Sequence, residues 1–179
     1  MGFIRVKNKM NRRTALVAGS ATLLLTACGV GAPPVDTSGN ALPQLYRISA
    51  ADAQNIPFRL LDSVNSLRGA KGQSPLAFNA ALNAAALTHS RDMSVQNRPW
   101  HFGSDGSSPL LRAQRVGYAG RFLGEVISET YQTELETLSA WMATPETRDV
   151  ILNPEAREIG FGWFQEPAGK IWWTLLTGA

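Results

Sequence analysis

Histidine occurs twice in this chain, at His89 and His101, and cysteine once, at Cys28. A lone cysteine makes no disulfide within the chain, so stability rests on an apolar core. Its place is distinctive. Cys28 follows directly on an apolar run from Ala15 to Ala27, itself preceded by Arg5, Lys7, Lys9, Arg12 and Arg13 with no acidic residue among them. His89 falls on the apolar side of an alanine-rich helical pattern, which predicts a buried, hydrogen-bonded imidazole. Ser107 and Ser108 lack a Gly-x-Ser-x-Gly setting and a base partner, which argues against a serine hydrolase. Gly120 and Gly124 do not form a phosphate loop. Trp163, Trp172 and Trp173 stand in strand-like segments; one face of that alternation is core, and Trp172 or Trp173 is placed to line an apolar groove.

The apolar run is about 13 residues long, too short for a bilayer core of about 30 Å and suited to an export signal. It ends in Leu25-Thr26-Ala27-Cys28-Gly29, which resembles the bacterial lipobox. That resemblance implies a diacylglycerol on the Cys28 thiol, cleavage before it, and a further acyl chain on the freed amine. Two or more chains anchor a protein stably where one does not. The reading is thus a signal peptide over 1–27, a lipidated terminus and flexible tether over 28–50, and one domain over 51–179. Met10 is an alternative start, and Arg12-Arg13 leaves a twin-arginine route open beside the general one. Gly29 after the cysteine favours the outer over the inner membrane in a host with two.

Removing the leader changes the charge. The whole chain carries 17 basic and 14 acidic residues; five of the basic and none of the acidic precede Cys28. The remainder is mildly acidic, which excludes a nucleic-acid surface.

The elements follow from periodicity. Ile56, Leu60, Leu61, Val64 and Leu67 predict an amphipathic helix with Pro57 in its first turn and Gly69 and Gly72 at its close. Ser74-Pro75-Leu76 reads as a turn. Asn79 caps a second helix to Gln96, with Leu82, Ala85, Ala86, His89 and Met93 inward. Further helices are predicted over 109–116 and 133–142, the latter burying Leu135, Leu138 and Trp141. Segments 158–164 and 171–176 read as a hairpin, with 122–127 a third strand. Leu42 to Ala50 reads as an arm that packs on the domain. The fold class is α+β.

In order, Leu61 to Arg68, Ser74-Pro75-Leu76, Leu82 to Met93, His101 to Pro109, Arg112 with Gly117-Tyr118, Gly124-Glu125, Trp141-Met142, Ile151 to Pro154 and Glu158 to Gly162 resemble the CAP superfamily, also called SCP domains. The resemblance implies a three-layer α-β-α sandwich with a small antiparallel sheet. It implies a cleft in which family members often hold two histidines and two glutamates, some with a divalent metal. His101 and Glu125 stand at the first histidine and first glutamate. Thr147 replaces the second histidine, Thr144 falls near the second glutamate, and Val126 replaces an asparagine. Two ligands are too few for zinc, so the expectation is a hydrogen-bonded His101–Glu125 pair with no metal and no cofactor, completion by Glu129 or His89 being the less favoured alternative. Some relatives bind sterols, fatty acids or other lipids. The expected function is a membrane-anchored, non-enzymatic binding module at the cell envelope, with a small apolar ligand as candidate. The alternatives are a hydrolase using His101 and Glu125, and a structural envelope protein.

Overall fold

The computed structural model describes Met1, Gly2, Thr37, Ser38, 45–129 and 131–179. Cys28 and most of the leader lie outside the described residues. The chain divides into 1–42 and 43–179, and all the helices and strands below belong to the second unit.

Its elements are α1 (Ala50–Gly69), β1 (Ala77–Phe78), α2 (Ala80–Gln96), α3 (Pro109–Arg115), β2 (Phe122–Ser128), α4 (Glu134–Ala143), α5 (Pro145–Ile151), β3 (Glu158–Gln165) and β4 (Ile171–Gly178). The strand order is β1-β3-β4-β2. Both β2 and β3 run antiparallel to β4, which lies between them. One face of the sheet carries α1, α4 and α5 over a core of Ile56, Leu60, Val64, Val126, Trp141, Trp173 and Leu175. The other carries α2 and α3 over Leu82, Ala85, Ala86, Ala113, Tyr118 and Leu176. That is the expected three-layer sandwich. Every residue of β4 is buried. Covering on both faces explains why it reads as a nearly continuous apolar run without alternation.

α1 starts earlier than its apolar stripe predicts. Ser49 caps it by accepting the Asp52 N–H at 3.0 Å, so Pro57 sits two turns inside rather than in the first turn. Arg68, near the end of α1, is wholly buried and pairs with no carboxylate among the described residues. It donates instead to the carbonyls of Ser74, Ile151, Asn153 and Ala156 at 2.9–3.0 Å. Asn65, three residues before, exchanges hydrogen bonds with both main-chain groups of Leu76. Asn65 and Arg68, both within the Leu61 to Arg68 stretch, are therefore structural.

Two elements escape the sequence pattern. β1 is two residues long and pairs parallel with β3, so the sheet is not wholly antiparallel. α5 is seven residues with Pro145 at its start. Both are too short to show a period. In α4 the buried stripe is also shifted. Thr133 and Glu136 form a capping box, and Leu135 is exposed while Glu134 and Thr137 are buried. Glu134 turns inward because Arg59 of α1 donates to it at 2.6 Å.

α2 lies very close to β3. A Cβ on Gly160 would stand 2.3 Å from the Leu82 carbonyl carbon, and one on Gly162 would stand 2.4 Å from the Leu87 nitrogen. Ser90 ties the layers, donating to Thr174 Oγ1 at 2.8 Å.

Candidate functional site

Glu125 is the meeting point of four segments. Residue alternation on β2 sends Val126 into the α1-side core and turns Glu125 to the opposite face, toward α2 and α3. Its side chain is 1% exposed. Arg112 of α3 donates to Oε2 at 2.6 Å. The same guanidinium donates to the main-chain carbonyls of His101 and Ser107 at 2.8 and 3.0 Å. It thereby neutralises the carboxylate and fixes the loop that carries His101.

His101 Nδ1 lies 2.9 Å from Glu125 Oε1. The carboxylate only accepts, so Nδ1 carries the proton and the free lone pair of a neutral ring is on Nε2. The ring is half-exposed, which makes Nε2 the one basic atom of the group open to solvent chemistry.

His89 on α2 is wholly buried. Its Nε2 stands 2.9 Å from the Trp100 carbonyl and 3.7 Å from Glu125 Oε1. The carbonyl only accepts, so the proton is on Nε2, and among the described residues Nδ1 has no hydrogen-bond partner. Burial depresses the His89 pKa, partly offset by the negative Glu125. His89 is thus neutral and holds the Trp100–His101 turn against α2. Asp92, one turn further along α2, accepts from the main chain and hydroxyl of Ser104 at the other end of that loop.

The residues aligned with the rest of the tetrad are engaged elsewhere. Thr147 Oγ1 donates to the carbonyls of Trp141 and Thr144. Thr144 caps α5 without a side-chain hydrogen bond. Glu129 pairs with Lys170. Both Glu125 oxygens are occupied by protein donors. Among the described residues no three His, Cys, Asp or Glu side chains are placed to hold a metal ion. The donor set does not fit the metal that the fold implies for some relatives.

A second concavity lies away from this cluster. A groove of about 590 Å³ runs between α1 and α2 along β3, lined among others by Pro57, Phe58, Phe78, Leu87, Phe161 and Trp163. Phe58 is 62% and Leu87 41% exposed. The groove tryptophan is Trp163. Trp172 and Trp173, the two expected there, are both fully buried, because β4 is the central strand. Phe58 was the available sign in the sequence: a large aromatic off the buried stripe of its helix. A smaller pocket of about 290 Å³ borders Arg112 and is lined by Thr88, Asp92, Asp105 and Ser107.

A family model for the cysteine-rich secretory proteins matches residues 61–176. An uncharacterized protein of Bacillus subtilis strain 168, YkwD, is 30% identical over 120 residues, covering 67% of this chain and 46% of that protein. The chain thus spans about half the length of this relative. Among solved structures, an outer surface protein of Borrelia burgdorferi matches with a TM-score of 0.66 at 16% identity, covering 71% of this chain and 94% of that one. An extracellular protein containing an SCP domain from Bacillus anthracis matches with a TM-score of 0.64 at 19% identity, covering 75% and 45%. The layered sheet, the order of its elements and the matched span together show that the chain belongs to the CAP family of cysteine-rich secretory proteins.

Proposed function

We propose that this protein is a non-enzymatic binding module of the cell envelope, anchored by lipid on Cys28, that seats an apolar ligand in the groove between α1 and α2. The groove itself carries the reading. It has the volume of a small-molecule site and exposes aromatic and aliphatic side chains that an ordinary surface would turn inward. Location is supported by the lipobox-like Leu25-Thr26-Ala27-Cys28 run and by the surface and extracellular origin of the structural neighbours.

The Glu125 cluster favours positioning over catalysis. Its carboxylate is neutralised, His89 is locked on a carbonyl, and only His101 Nε2 is free. That atom supports one second reading, a hydrolase in which an oriented His101 acts as general base.

The test is extraction of the full chain after purification from membranes, with mass spectrometry of what co-purifies. A defined apolar species is expected in the wild type and lost in Leu87→Glu, an exposed groove position. Equal recovery from both proteins overturns the groove. Hydrolytic activity abolished by His101→Ala in a folded protein would establish the second reading.

A further inference from the structure

β3 has an open edge, and it faces the groove. β1 covers only Glu158 and Ile159. Ala77 N–H donates to the Arg157 carbonyl and Asn79 N–H to that of Ile159, each at 3.0 Å. Odd-numbered residues therefore point their main-chain groups away from β4. The next such group, Phe161 N–H, is taken by Asn83 Oδ1 at 2.9 Å. Beyond it the Phe161 carbonyl and both main-chain groups of Trp163 point the same way, and among the described residues no strand pairs there.

The far end of this edge already holds extended chain. The Gln165 side chain accepts from Ile48 N–H and donates to the Tyr46 carbonyl, both at 3.0 Å. A carbonyl and the N–H two residues on lie along one edge of an extended segment, so the arm before α1 presents its main chain here. Between β1 and the arm, Phe161 to Gln165 leaves a slot of about 13 Å at the usual strand rise.

A further acceptor lies across the groove. Pro57 has no N–H, so the Ala53 carbonyl loses its helical donor, and Ala53 and Pro57 both line the groove. An acyl chain would cover these polar groups and offer them nothing. A peptide supplies donors and acceptors at strand spacing, with alternate side chains directed to the Phe58 and Leu87 walls.

From this we infer that the ligand of the groove is an extended peptide segment that adds to β3 as a strand, in line with β1. The inference rests on the groove reading above and names its ligand class. A free edge is otherwise an aggregation hazard that proteins cover or charge; here two segments of the same chain leave a gap between them.

The experiment uses the full chain and four probes: a fluorescein-labelled, end-capped pentapeptide of alternating valine and threonine, two forms of it N-methylated at alternate residues, one for each register, and palmitate. The unmodified peptide should bind saturably, with one N-methylated register weakened by about tenfold or more, as for loss of a hydrogen bond or two. Leu87→Glu should abolish binding, and so should Ala84→Trp, which fills the groove from an exposed helix position; circular dichroism checks that both are folded. Equal binding of the peptide and both N-methylated forms overturns strand addition and leaves an apolar groove. Palmitate binding that Leu87→Glu removes, without peptide binding, likewise overturns strand addition while keeping the groove. If no probe binds, both the inference and the groove reading fail.

Discussion

A buried carboxylate needs a counter-charge, and Glu125 has one in Arg112. That pairing leaves nothing that requires His89 to be charged, and burial holds it neutral. The unfolded chain takes up a proton near the ordinary histidine value of 6.5, whereas the folded chain resists it. Stability contributed by neutral His89 is therefore complete above that value and is lost as pH falls below it. His89→Gln keeps an N–H for the Trp100 carbonyl and removes the titration. Chemical unfolding should find this variant less stable by about 1–2 kcal/mol at neutral pH, yet with a shallower loss of stability between about pH 7 and pH 5. Parallel pH profiles would rule out this role. The burial of His89 was legible from the alanine-rich helical pattern alone. The contact with Glu125 was not, since the two stand far apart in sequence and a helical period says nothing about a distant strand. The His101–Glu125 pairing was suggested only by family resemblance. Arg112, which holds both, stood in the sequence only as part of the family resemblance, with no partner assigned to it.

At the scale of elements, contact between α2 and β3 depends on what is missing. Gly160 and Gly162 admit the helix backbone to distances that a Cβ would forbid. Relief would need a shift of main chain, since the atoms met are not the ends of flexible side chains. Gly162→Ala should therefore destabilise the domain by about 2–3 kcal/mol or more, measured as a fall in thermal midpoint. It should also weaken any groove ligand, because Leu87 and Trp163 belong to the two elements pushed apart. An unchanged midpoint would show that α2 slides freely over β3. The long elements were readable because each shows a full face: 20 residues for α1, 17 for α2, eight each for β3 and β4. β1 and α5 were not, and the arm at Tyr46 to Ile48 was readable only as something that packs. The groove was hidden because its walls come from four elements, α1, β1, α2 and β3, gathered from distant parts of the sequence. Leu135 misleads for a related reason: its spacing fits the buried stripe, but the partner that decides the face of α4 is Arg59, on another helix.

For the whole molecule, the decisive residue lies outside the domain. Cys28 sets the location under the proposed function, and everything after it is mildly acidic. Replacing it by serine should move the protein from the membrane fraction to the soluble one and abolish incorporation of labelled palmitate. The folded domain should be unchanged by circular dichroism. Membrane retention of Cys28→Ser would instead point to an uncleaved leader as the anchor.

The position of β4 bears on the order in which this chain can acquire its shape. β2 and β3 are both made before β4, yet neither pairs with the other; each is joined to the sheet through β4. Until residues 171–178 are available, among the described residues β2 has no strand neighbour and β3 has only the two-residue β1. The two cores share that strand, with Trp173 and Leu175 on one side and Leu176 on the other. A nascent chain is therefore denied the closed sheet until β4 is delivered. Under the proposed function, which requires the chain to be threaded through a membrane pore as an extended polymer, this delay would keep the substrate translocatable, with closure of the sheet following on the far side.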